Sequence, residues 1–155
     1  MRVVVSSLLF HRWATATALA DSRARRLPGG CMKPLSVVLL QTDAGTSRAL
    51  ASSLCHHFHA IFSVKSVKDL REAILKHRPE VAVVDMEVAP LSEVQAISRE
   101  FSGMCIVCTH RLADDQMWTA ALTAGATDVC PSRDTRAIVT STLRYSPSRA
   151  RSIAA

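Results

Sequence analysis

The sequence predicts an α/β fold: a doubly wound parallel sheet of five strands with helices on both faces. Three observations carry that expectation. From Pro34 onward, short β-branched runs alternate with segments of helical period, the pattern of consecutive β-α-β units. The run Val81-Ala82-Val83-Val84 is apolar at every position, as a strand buried on both faces must be, and it stops at a carboxylate, Asp85. A chain of 155 residues with 48% hydrophobic content has enough apolar surface for one domain and too little for two.

The first strand is expected at Ser36 to Leu40. A helix follows from Ala44 to His57, with Leu50 and Leu54 four apart on its apolar face. The second strand spans Ala60 to Val64. The second helix opens at Ser66 with Asp69 three residues on, a capping-box-like start, and Val67, Leu70, Ile74 and Leu75 form its apolar stripe. Val81 to Asp85 is the third strand, and Ser92 to Glu100 the third helix, with Val94 and Ile97 inward. Met104 to Thr109 forms the fourth strand. The fourth helix, Asp114 to Ala124, ends at Gly125, the residue type favoured just past a helix C-terminus. On it, Trp118 shares a face with Ala121 and Leu122 beside Met117, spacing that favours packing. Asp128 to Cys130 is the fifth strand, and Asp134 caps a last helix reaching Tyr145.

Composition removes several classes of function. The formal charge of +6 divides into +5 over residues 1–33, −1 over 34–145 and +2 over 146–155. The base therefore lies in the tails, no basic stripe marks a folded face, and no nucleic-acid partner is expected. No apolar run is long enough to span a membrane. Five cysteines without framework spacing suit a reducing compartment, which places the chain in the cytoplasm. Cys105 and Cys108 spell C-x-x-C, but on a strand residues three apart face opposite sides, so they read as structural thiols. The group His56, His57 and His59 lacks a partner at metal-ligand spacing.

Residues 1–33 are expected to be a disordered or mis-started extension. MKPLSVVLL from Met32 reads like a fresh frame entering its first strand, and His11-Arg12-Trp13 interrupts what would be the apolar core of a signal peptide. Residues 146–155, rich in Ala, Ser and Arg, are expected to be a disordered tail, leaving 34–145 as the domain.

In a doubly wound sheet chemistry collects beyond the carboxyl ends of the strands. Gln41-Thr42-Asp43, Asp85-Met86-Glu87, Thr109-His110 and Pro131-Ser132-Arg133 are the groups that can converge there. With PEVAVVD, CIVCTH and ALTAGATDVC in this order, the chain from Pro34 to about Tyr145 resembles the receiver domains of two-component response regulators. The resemblance implies a flavodoxin-like strand order, 2-1-3-4-5. It places Asp85 as the acceptor of a phosphoryl group from a histidine kinase or phosphotransfer protein, and Thr109 as the hydroxyl that bonds the new phosphoryl oxygens. An output protein would read the result, and a homodimer is among the assemblies implied. Phosphorylation adds roughly two negative charges and three acceptor oxygens, enough to re-pair nearby donors and shift the face of the fourth and fifth helices.

The chain also departs from that pattern. The family places two acids after its first strand to help hold Mg²⁺; here Gln41 and Thr42 stand there, with Asp43 one step later. Its lysine after the fifth strand is Ser132 here, followed by Arg133 where proline is usual, and its aromatic on the fifth strand is Val129. Pro90 comes one residue later than the family's proline. Magnesium would rest on Asp85, helped by Glu87, Asp43 or Arg133 only if these fold inward, so a weak metal site and slow or absent self-phosphorylation are expected. His110 reads as a solvated side chain or a restriction on access to Asp85.

Two readings of function follow. One is a stand-alone receiver in phosphorelay signal transduction with an atypical acidic pocket, in which Asp85, Thr109 and Ser132 carry the chemistry. The other is a phosphorylation-independent pseudo-receiver acting as a protein-interaction module, with Asp85 as a polar strand end bonded to Thr109 or Ser132. A flavodoxin-like enzyme is disfavoured because no Gly-rich or Ser/Thr-rich phosphate loop follows the first strand, and the chain is not expected to be an enzyme.

Overall fold

Strand segments apolar at nearly every position form the middle of the sheet. A computed structural model describes residues 2–5 and 35–146. Its strands are β1 (Arg2–Val5), β2 (Ser36–Leu40), β3 (Ala60–Val64), β4 (Val81–Asp85), β5 (Cys105–His110) and β6 (Asp128–Pro131), and its helices α1 (Ala44–Leu54), α2 (Val67–His77), α3 (Leu91–Glu100), α4 (Asp115–Thr123) and α5 (Thr135–Arg144). The sheet runs β1-β3-β2-β4-β5-β6 with every pair parallel. Counted from Ser36, five of these strands have the expected 2-1-3-4-5 order.

Alternation along the central strands builds two cores at once. Val38 and Leu40 of β2, Ala82 and Val84 of β4, and Ile106 and Cys108 of β5 face α2, α3 and α4 with Leu70, Ile74, Val94, Ile97 and Ala121. Their neighbours Val37, Leu39, Val81, Val83, Cys105 and Val107 face α1 and α5 with Leu50, Leu54 and Ile138. A run apolar at every position is thereby used on both faces of the sheet.

Helix starts follow capping chemistry. The side chains of Asp43, Ser66, Asp114 and Asp134 each accept the backbone N–H three residues on, from Thr46, Asp69, Met117 and Ala137. α1 stops at Leu54 instead of reaching His57, because the chain tightens there, with the His57 and Phe58 N–H groups both bonded to the Leu54 carbonyl, and tucks Phe58 into the core at 2% exposure. Leu75 falls off the stripe of α2 and is 60% exposed, being one residue, or about 100°, past Ile74. Trp118 is likewise 46% exposed while Ala121 is fully buried, so α4 packs through Ala121 and presents the indole outward, its Nε1 3.5 Å from Asp128 Oδ1.

The expectation for residues 1–33 meets the described residues at Arg2–Val5, which form a sixth strand on β3; the rest of it lies outside the described residues, as do residues 147–155 of the expected tail. Ser146, at the start of that tail, is 2% exposed and its hydroxyl donates to the Leu143 carbonyl at 3.1 Å. Among the described residues, no helix is long and apolar enough to cross a membrane.

Gly125 closes α4 as expected. Its N–H bonds Leu122 and the Ala126 N–H bonds Ala121, both at 3.0 Å, the double bond pattern that ends a helix on a left-handed residue, and φ is +103°. A Cβ here would lie 2.1 Å from Ser98 Oγ and 2.7 Å from Ser98 Cβ on α3. Gly125→Ala therefore combines backbone strain with a clash and should destabilise the fold by about 1–3 kcal/mol in urea unfolding. Adding Ser98→Gly should recover the steric part and leave the strain.

Candidate functional site

β2, β4, β5 and β6 all point their carboxyl ends to one rim of the sheet, and the polar residues that follow their apolar runs meet there. Asp85, the last residue of β4, is 4% exposed and lies opposite Thr109 in the β5 register. A buried carboxylate needs donors, since burying its charge without them costs several kcal/mol. Two are present: the Thr42 hydroxyl donates to Oδ2 and the Glu87 backbone N–H to Oδ1, both at 3.0 Å. The loop after β4 is wound on the same residue, with the Val88 and Ala89 N–H groups donating to the Asp85 carbonyl and the Met86 N–H to that of Thr109.

Thr109 is fully buried, and its hydroxyl accepts from the Gln41 side-chain amide at 3.1 Å. The expected structural partner of Asp85 is Thr109 or Ser132; the side chain that bonds it is instead Thr42, while the Thr109 hydroxyl accepts from Gln41. The Ser132 Oγ is buried with no hydrogen-bond partner, although its N–H donates to the His110 carbonyl at 3.0 Å. The contributions of Gln41 and Thr42 were not read from the sequence. Their place directly after the first strand was the available signal, but spacing says nothing of which way each side chain turns.

The rim beside Asp85 is an ion-pair cluster. Glu87 Oε1 lies 3.4 Å from Arg111 Nε and 3.5 Å from His110 Nε2. His110 Nδ1 lies 2.9 Å from the Leu112 carbonyl oxygen and 3.1 Å from the Leu112 nitrogen, and its Nε2 faces Glu87. Asp43 is used elsewhere. Its carboxylate caps α1 through the Thr46 N–H at 2.6 Å and hydroxyl at 2.8 Å, and those bonds hold its pKa below the usual carboxylate range. Arg133 is exposed, and Asp85 itself takes part in no ion pair among the described residues.

Magnesium, which the receiver fold implies, does not fit this donor set. The ion requires near-octahedral oxygen ligands with one or two carboxylates. Of the acids near the rim, Asp85 is bonded by Thr42, Glu87 is paired with Arg111 and His110, and Asp43 caps a helix. Among the described residues no three of His, Cys, Asp and Glu are grouped to hold a metal.

The remaining sequence features resolve into structure. Cys105 and Cys108 lie in the two opposite cores, so C-x-x-C brings no pair together. Burial pushes the Cys108 thiol up to about 12 and Cys130 up to about 11, and raises Cys105. His56, His57 and His59 are exposed at the end of α1.

Two outcomes are expected. Thr42→Val should cost about 1 kcal/mol in urea unfolding at neutral pH, and much less in an Asp85→Asn background, the double-mutant cycle isolating the hydroxyl–carboxylate bond. Iodoacetamide at pH 8 should leave the buried thiols Cys105, Cys108 and Cys130, their pKa values all raised by burial, unmodified in the folded protein and alkylate them in urea, as read by peptide mass spectrometry.

No family model matches the sequence, and no curated protein does. Solved structures do. The chain is similar to a two-component response regulator from Clostridium difficile, at 13% identity and a TM-score of 0.64, covering 75% of this chain and 98% of that one. It is also similar to an orphan response regulator of H. pylori, at 17% identity and a TM-score of 0.62, covering 68% and 91%. A third is the signal receiver domain of a DNA-binding response regulator from Colwellia psychrerythraea 34H, at 15% identity and a TM-score of 0.58, covering 63% and 85%. With the strand order, the two-faced core and the polar rim in hand, these likenesses establish that the chain has the receiver fold of two-component response regulators.

Proposed function

We propose that this chain is a response-regulator-like signalling domain that conveys its state through protein contacts, and that Asp85 is a poor phosphoacceptor. The observation that carries the reading is the Thr42 hydroxyl on Asp85 Oδ2 at 3.0 Å, in a pocket where the resemblance calls for acids and a lysine. Phosphoryl transfer depends on positioning and on neutralising charge. A phosphoryl group on Asp85 would bring roughly two negative charges to a rim where Thr42 bonds the carboxylate and the other strand-end side chains, Gln41, Thr109 and Ser132, are likewise uncharged. Arg111, the cation at the rim, is already paired with Glu87.

The structural neighbours support the signalling role. One of them is described as an orphan response regulator. The partners proposed here are an upstream histidine kinase or phosphotransfer protein and a downstream output protein, in the cytoplasm. The role is one of contact and state, with no catalysis of a small-molecule reaction.

Intact-mass measurement with acetyl phosphate and Mg²⁺ tests this. The natural chain should gain no phosphoryl mass under conditions that label an ordinary receiver. The triple variant Gln41→Asp, Thr42→Asp, Ser132→Lys should gain one, and Asp85→Asn in that background should abolish it. Labelling of the natural chain on Asp85 at an ordinary receiver's rate would overturn the proposal.

A further inference from the structure

The two edges of the sheet are built differently. β6 is blunted by its own residues, with Asp128 at its start and Pro131 at its end, a charge and a missing donor that resist pairing with another strand. At the other side the last strand of the five-stranded core is β3, Ala60-Ile61-Phe62-Ser63-Val64, which has no charge and no proline. Left bare, it would offer a row of unpaired N–H and C=O groups on a flat apolar strand, the kind of edge that recruits other chains. It is not bare. Arg2–Val5 pair with it in parallel, from Arg2 opposite Ala60 to Val5 opposite Ser63.

The occupant suits the place. Val3-Val4-Val5 is β-branched throughout, the composition that favours extended pairing. The new outer edge is four residues long and begins with a cation, so it is shorter and more charged than the edge it covers. A parallel return from β1 to β2 needs a crossover of a dozen or more residues, and residues 6–35 provide thirty.

We infer that the β3 edge is a strand-docking site for a short β-branched segment in parallel orientation, and that Arg2–Val5 of the same chain is its occupant, closing the sheet against a second copy. The N-terminal segment is then an edge cap, separable from the rim at Asp85.

Hydrogen exchange by mass spectrometry on the full chain tests the inference. N–H groups alternate sides along a strand, so of Val3→Pro and Val4→Pro one removes a donor facing β3 and the other a donor facing solvent. The first should raise exchange across Ala60–Val64 at least ~10-fold while α5 stays protected, and the second should do so far less. A synthetic peptide of residues 1–7, added to the released variant, should restore protection. Exchange in β3 that neither proline alters would overturn the inference. So would a dimeric natural chain in sedimentation velocity that the proline variant converts to monomer, since β1 would then be supplied by the second copy.

Discussion

Period-two alternation along β2 and β4 is the constraint on which the rest depends. Because Val37 and Leu39 face one core while Val38 and Leu40 face the other, these strands must be covered on both sides. Coverage on both sides requires helices between consecutive parallel strands. Parallel strands in turn bring all their carboxyl ends to one rim. The polar residues Gln41, Asp85 and Thr109, each directly at or after the last apolar position of its strand, then have nowhere to lie but together, and all three are buried.

That convergence creates an electrostatic problem. A carboxylate 4% exposed and without a cation must be satisfied by neutral donors, and the Thr42 hydroxyl and Glu87 N–H supply them. On the proposed reading, the same neutral donors leave little to stabilise the further charge of a phosphoryl group. Glu87, a further acid at the rim, belongs to a surface cluster with His110 and Arg111.

Edge protection is divided between sequence and topology. β6 carries Asp128 and Pro131 within its own four residues, whereas β3 relies on a segment distant in sequence. α4 presents Trp118 because its buried face is narrow, with Ala121 its one buried residue. The β1 edge and the α4 face lie at opposite sides of the sheet order, so changes at one leave the other's packing in place.

Much of this was legible in the chain. Strand-length apolar runs, caps such as Ser66 and Asp134, and Gly125 beyond α4 are local signals, because each depends on a few neighbouring residues and on φ, ψ preferences. The positions of Asp85, Thr109 and Ser132 at strand ends were legible for the same reason. What required the tertiary structure were the pairings across 43 and 68 residues, Thr42 with Asp85 and Gln41 with Thr109. Several donors and acceptors at the rim are chemically interchangeable, and only the register and loop paths select among them. The docking of Arg2–Val5 on β3 is nonlocal in the same way: four residues of β-branched sequence state a preference for extension, and only an available edge decides where that strand pairs.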